Sequence, residues 1–233
     1  EGSGHRFATQ GDAEVIVHLY EDLGPDCFQH LDGMLSAAIW DARQGRLLLA
    51  RDRLGKKPLY YCQQPDRLLF ASELKALLEL PQVPREIDPG ALDEYLAYQY
   101  VPPPNTIFRG ISKLPPAHYA LYEAGRLQVQ RYWQIEAKRE INLPPATACE
   151  ELTRLFDEAV RSRLESDVPL GAFLSGGVDS SLVVAAMQKL GNGPVKTFSI
   201  GFPNSDYDET SYARQVAHHL GTQHTELQIS PDA

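Results

Sequence analysis

The string Ser175-Gly176-Gly177-Val178-Asp179-Ser180-Ser181 has the make-up of an anion cradle. Adjacent glycines let a backbone approach an anion closely, backbone N–H groups and three hydroxyls can donate to phosphate oxygens, and a helix starting there adds its positive end. A carboxylate in such a place would repel bare phosphate, so Asp179 makes chemical sense as the ligand of a magnesium ion that bridges the oxygens. No lysine follows as in GxxxxGK[ST], and there is no GxGxxG spacing, so the nucleotide mode differs from both. The plainer reading is a tight turn with Asp179 or Ser180 as a helix cap. Seven such residues directly after an apolar run favour the cradle.

Other reactive side chains are scattered. Cys27, Cys62 and Cys149 form no CxxC, so neither a disulfide framework nor a zinc site is expected. Of seven histidines, the adjacent His218 and His219 face different sides of one helix, and none has HxxxH spacing. With 22 basic against 31 acidic residues the net charge is -9, which speaks against a nucleic-acid partner. No apolar run reaches the roughly 20 residues of a membrane helix, the chain opens on Glu1 with no signal-like core, and the expected setting is cytoplasmic. That start is read as the beginning of a piece of a longer chain.

The elements that must position these residues fall into two halves. Val15, Ile16, Leu19, Tyr20 and Leu23 recur at helical spacing after Asp12, which can cap them, and Gly24-Pro25 ends the pattern; a short helix follows to Leu31. The runs MLSAAIW, RLLLA, PLYYC and RLLFA with turn residues between them predict an antiparallel meander. In RDRLGKKPLYY, Arg51 and Asp52 close a strand before a tight turn at Gly55, a structural signature, and Glu73 reads as a buried ion-pair partner. Asp88-Pro89 starts a helix with Leu92, Tyr95 and Leu96 as its buried stripe, and 106–132 reads as irregular strands and turns.

Residues 134–146 are polar and aperiodic, a linker between halves at 1–133 and 147–233. A capping box at Thr147 and Glu150 opens a helix whose stripe runs through Leu152, Leu155 and Val160. PLGAFL, VKTFSIG and TELQI then alternate with helices, which implies a parallel sheet. The class is α+β followed by α/β. In such a sheet the crevice lies beyond the carboxyl ends of the strands, where SGGVDSS falls.

SGGVDSS resembles the pyrophosphate loop of the ATP pyrophosphatase family. RDRLGKKPLYY, Phe70-Ala71-Ser72-Glu73-Leu74-Lys75-Ala76-Leu77, Thr106-Ile107-Phe108-Arg109-Gly110 with Lys113-Leu114-Pro115-Pro116, and His219-Leu220-Gly221-Thr222-Gln223-His224 resemble glutamine-hydrolysing asparagine synthetases. The resemblance implies an antiparallel-sheet glutamine amidotransferase domain, then a Rossmann-like parallel-sheet ATP pyrophosphatase domain, both cut short. It implies that aspartate, glutamine and ATP are substrates with Mg²⁺ as cofactor, that the acceptor carboxylate is adenylated before ammonia attacks it, and that the assembly could be a homodimer.

Residue by residue, the resemblance gives Asp12 to the α-amino group of glutamine, as an alternative to its capping role. It gives Ser175, Gly176, Gly177, Asp179 and Ser180 to the ATP phosphates, with Asp179 also on the metal, and Phe173 and Ile200 to the adenine pocket. For the last two, the ordinary core reading is the stronger on sequence. The family's N-terminal cysteine nucleophile has no counterpart here and the parallel sheet stops after three strands, so the chain by itself is expected to be inactive and to expose core surface. Two alternatives stay open: a relative acting on another carboxylate, such as a β-lactam synthetase, and a non-enzymatic nucleotide-binding module.

Overall fold

The computed structural model describes residues 4–136, 142–203 and 208–229. The chain divides into two compact units, residues 1–139 and 140–233, described in turn. Part of the expected linker, residues 137–141, lies outside the described residues, as does most of the polar loop at 204–207. No described helix is long and apolar enough to cross a membrane.

In the first unit, helix α1 (Asp12–Leu23) begins one residue earlier than a capping Asp12 would allow. Gly11 takes the N-cap place without a side-chain hydrogen bond, and Asp12 lies inside the first turn. The following 3-10 turn, Gly24–His30, carries the buried Cys27 and Phe28. Strands β1 (Ser36–Asp41), β2 (Arg46–Arg51), β3 (Tyr60–Gln63) and β4 (Leu68–Ala71) form where the apolar runs predict them, but they are not one meander. β2 pairs with β6 (His118–Glu123) and β3 with β5 (Ser112–Lys113), giving two antiparallel sheets, β1-β2-β6-β7 and β4-β3-β5, with β7 at Arg126–Arg131.

The reason lies in β2, which is apolar on both faces. Leu48 and Ala50 pack with Cys27 and Phe28 on one side, while Leu49 packs with Leu59, Leu114 and Ala120 on the other. A strand buried on both faces needs a layer over each, so the chain after it stacks across the sheet instead of extending its edge. The stretch 106–132 is also more regular than expected. β6 and β7 form a hairpin closed by Ala124 and Gly125, whose φ values of 50° and 78° are those of the twisted two-residue turn. Alanine at the first turn position hid that signal.

Short helix α2 (Leu74–Leu78) packs Leu77 against Cys62, Val83 and Ile111 on the far face of the second sheet. Glu73, just before it, pairs with Lys75 at 2.7 Å on the surface and is not buried. In helix α3 (Pro89–Tyr98), Asp88 caps as predicted, accepting from the N–H groups of Gly90 and Ala91. The expected stripe is open instead: Leu92, Tyr95 and Leu96 are exposed and Ala91 is the buried residue of the helix.

After β2, two side chains satisfy a whole turn. The buried Asp52 carboxylate accepts from the N–H groups of Leu54, Lys56 and Lys57 at 3.2, 2.9 and 2.9 Å. The Arg51 guanidinium donates to the carbonyls of Lys57, Leu114 and Gly55 at 2.8, 2.8 and 2.7 Å. Gly55 is required here, because its φ is +64° and a Cβ would lie 2.7 Å from Pro116 Cγ. Thus RDRLGKKP is structural, as its sequence suggests.

In the second unit, helix α4 (Pro145–Arg161) starts at its prolines, with Pro144 as N-cap. Thr147 and Glu150 therefore lie inside the helix and form no capping box, since proline's preset φ nucleates the turn earlier. Leu152 and Leu155 are exposed, and Val160 is the buried residue of this helix. Strands β8 (Gly171–Phe173), β9 (Lys196–Gly201) and β10 (Gln223–Gln228) form a parallel sheet in the order β10-β9-β8. Helices α5 (Val178–Leu190) and α6 (Thr210–Leu220) are the crossovers, and Leu174, Val184, Ala213 and Ala217 make the core between them.

A buried N–H left without a partner costs about 1–3 kcal/mol. Asp52→Ala removes three part-buried hydrogen bonds, each worth about 0.5–1.5 kcal/mol net, so it is expected to lower stability by roughly 1.5–4 kcal/mol, measured as a fall in the urea midpoint, with Asp52→Asn losing roughly half as much.

Candidate functional site

In the first unit the exposed Asp12 lines a cavity of about 660 Å³ together with Val15, Ile16 and Leu19 of α1, the chain before β1, and Lys57, Pro58 and Ser72. The helix brings the carboxylate there, and the turn tied by Arg51 and Asp52 supplies the facing Lys57 and Pro58. The walls carry both signs of charge, with Asp12 and Asp32 against Lys57.

In the second unit the string at 175–181 leaves the carboxyl end of β8 and enters α5. Ser175 and Ser180 lie with their hydroxyl oxygens 3.0 Å apart, and Ser180 Oγ also donates to the carbonyl of Gly177. Ser181 departs from the three-hydroxyl expectation, because its Oγ is sealed from solvent and has no partner among the described residues. The N-cap of α5 is Gly177, and no side chain caps the first turn, so its N–H groups are left for solvent or a ligand. Asp179 sits in that turn, exposed.

The two glycines differ in what requires them. Gly176 has φ +83°, and a Cβ on it would lie 2.6 Å from backbone atoms of Tyr212 and Ala213 in α6, so the fold itself excludes any side chain. Gly177 has ordinary extended angles, φ -71° and ψ 164°, and an added Cβ would meet only Ser175 Oγ, at 3.4 Å. Among the described residues no steric contact requires glycine at 177.

Phe173 and Ile200 are not core residues. Phe173 is 77% exposed and Ile200 40%, and both line a cavity of about 160 Å³ with Ser175, Phe198, Glu209 and Thr210. Strand alternation decides this: Thr197, Ser199 and Gly201 of β9 point to the buried face, which leaves Phe198 and Ile200 on the open one. Sequence reading missed the buried hydroxyls. Ser199 Oγ donates to the carbonyl of Leu174 at 2.5 Å, pinning the residue before Ser175, and Thr197 Oγ1 lies 2.9 Å from His224 Nδ1. The alternate Thr and Ser in KTFSIG were their one signal. Next to this cavity Asp208 is held below the usual carboxylate range, first by the Thr210 hydroxyl and then by the Thr210 N–H.

The model of the glutamine amidotransferase domain matches residues 1–133 and that of asparagine synthase matches residues 151–233. The chain belongs to the glutamine amidotransferase domain family, the match covering its first unit. It is 34% identical to asparagine synthetase [glutamine-hydrolyzing] 3 of Bacillus subtilis over 97% of its own length and 39% of that relative's. It is 33% identical to asparagine synthetase [glutamine-hydrolyzing] 1 of the same organism, over 100% and 36%. The amidase chyE of Penicillium rubens is 32% identical over 94% and 35%. The chain thus spans less than half the length of these relatives.

Cys27 and Cys62 are core residues. Burial pushes the Cys27 thiol up to about 11 and raises that of Cys62, which keeps both protonated and unreactive, while Cys149 lies exposed on α4. Gly176→Ala is expected to destabilise the second unit, because its Cβ clashes with backbone, whereas Gly177→Ala should leave the thermal unfolding midpoint unchanged; equal losses from both would contradict the packing described.

Proposed function

We propose that the protein makes an amide from glutamine nitrogen at the expense of ATP, with aspartate, glutamine and ATP giving asparagine, glutamate, AMP and pyrophosphate. The observation that carries this is the uncapped first turn of α5 beyond the end of β8, entered through a glycine that the fold does not need. Such an opening suits phosphate, whose charge the helix N-terminus favours and whose oxygens accept from its N–H groups. This reading takes the second unit as the opening of a Rossmann-like ATP pyrophosphatase domain.

In the proposed assignment Ser175, Gly176, Gly177 and Ser180 form the phosphate cradle, with Phe173 and Ile200 offering apolar surface to the adenine. Asp179 would hold Mg²⁺, which supplies charge neutralisation of the phosphate oxygens when bound. One exposed carboxylate fits an ion that keeps most of its ligands as water and phosphate. Transfer of AMP to the aspartate carboxylate converts a poor leaving oxygen into a good one, so ammonia can displace it. In the first unit, Asp12 would pair with the α-ammonium of glutamine through a charge-assisted hydrogen bond. The mixed charge of its cavity suits an amino-acid zwitterion.

The likeness to an amidase favours a second reading, in which the same two units serve a different acceptor carboxylate. Assaying AMP release by the intact protein across a panel of carboxylates separates them: dependence on aspartate supports the first, dependence on another acid the second. ATP binding without AMP under any condition would leave only a nucleotide-binding module. Asp179→Asn should reduce AMP formation at least ~100-fold with either glutamine or ammonia. Asp12→Asn should raise the KM for glutamine roughly 10-fold or more, the worth of a charged hydrogen bond, and leave ammonia-driven synthesis intact.

A further inference from the structure

Helix α1 has a second polar face, turned away from the Asp12 cavity, and the chain before the helix folds onto it. His5 and His18 stack with ring centroids 4.4 Å apart, and Phe7 covers His18 edge-on at 4.9 Å. Glu21 Oε2 stands 3.0 Å from His18 Nδ1 and 3.6 Å from His5 Nδ1. The opposite nitrogens also face carboxylates: His5 Nε2 lies 2.9 Å from Asp22 Oδ1 and His18 Nε2 lies 3.5 Å from Glu14 Oε1. Glu14 is held in place by the N–H groups of Ala8 and Thr9 at 2.7 Å each.

This arrangement poses a problem of protons. A neutral imidazole has one N–H to offer, so each ring would set a lone pair against one of its two carboxylates. Protonating both rings answers that, but places two cations in face-to-face contact. A divalent ion shared by the two Nδ1 atoms and Glu21 resolves both conflicts, since it takes the lone pairs, frees His5 Nε2–H to donate to Asp22 and leaves His18 Nε2–H near Glu14, though without a hydrogen bond to it.

The distances suit such an ion. Zinc bonded to nitrogen or oxygen at ~2.0–2.1 Å in a tetrahedron separates its ligand atoms by about 3.3 Å. The two Nδ1–Oε2 distances, 3.0 and 3.6 Å, bracket that edge, and the ligand atoms of His5, His18 and Glu21 all lie within 4.8 Å of one another. Carboxylates on the far nitrogens are the usual second layer of a histidine–zinc site, where they fix the tautomer and the ring orientation.

We propose that His5, His18 and Glu21 form a binding site for a divalent transition metal of the zinc class, with Asp22 and Glu14 as the supporting carboxylates. Two imidazoles and a carboxylate prefer such ions to magnesium or calcium. The site joins the chain at His5 to α1 and so braces the helix that carries Asp12. None of its three ligands lines the Asp12 cavity, so the inference stands apart from the proposed function. Sequence spacing could not show it, because HxxxH patterns detect histidines on one helix and this pair joins a helix to the segment preceding it.

Titration of the 233-residue chain with Zn²⁺ alone, followed by calorimetry, tests this. One Zn²⁺ per chain is expected, with Mg²⁺ failing to compete. His5→Gln, outside the helix, should weaken the affinity more than 10-fold with an unchanged circular-dichroism spectrum, and Asp22→Asn roughly 10- to 100-fold. The pair His218→Gln with His219→Gln, exposed on α6, should change nothing. Absence of saturable Zn²⁺ binding, equal competition by Mg²⁺, or binding that survives His5→Gln in a folded chain would each overturn the proposal.

Discussion

A backbone N–H or C=O taken from water must find another partner, and the two units meet that demand in opposite ways. In the first, Arg51 and Asp52 hold five backbone groups of the turn after β2 and the carbonyl of Leu114 beside it, so that turn is closed from within. In the second, the first turn of α5 is capped by no side chain and opens beyond the sheet. The closed turn forms part of the wall of the Asp12 cavity, while the open one leaves its N–H groups without a capping side chain.

Both arrangements depend on glycines with different jobs. Gly55 and Gly176 have positive φ and no room for a Cβ, so they are demanded by Pro116 and by α6 respectively. Gly177 meets neither condition: it has extended angles and room for a Cβ, and it stands at the N-cap of α5, a place glycine suits. The same distinction runs through β9. Its buried face carries Thr197 and Ser199, which hold His224 and the end of β8, and its open face carries Phe198 and Ile200, which meet the small cavity beside Ser175.

Where sequence reading and structure part, the cause is tertiary. The α3 stripe of Leu92, Tyr95 and Leu96 has true helical spacing, yet the described residues place no layer over it. The four early strands form where their apolar runs lie, yet β2 is apolar on both faces and so turns its successors into a second sheet. Phe173 and Ile200 look like core by type, and their exposure follows from which face of a parallel sheet the crossovers cover. The Thr147 capping box failed locally instead, because the prolines before it started α4 sooner.

What the chain determined by itself is local. Asp88 ahead of proline caps α3, Gly24 ends α1, alternating elements give the parallel sheet, and the seven residues from Ser175 combine glycine, hydroxyl and carboxylate as an anion site requires. These depend on neighbours a few residues apart, whose geometry the backbone sets. Which faces are buried, which glycine serves packing and which is left open, and the meeting of His5 with His18 were decided by elements coming together. Those outcomes depend on contacts between layers, and periodicity along one strand or helix carries no information about what is stacked on it.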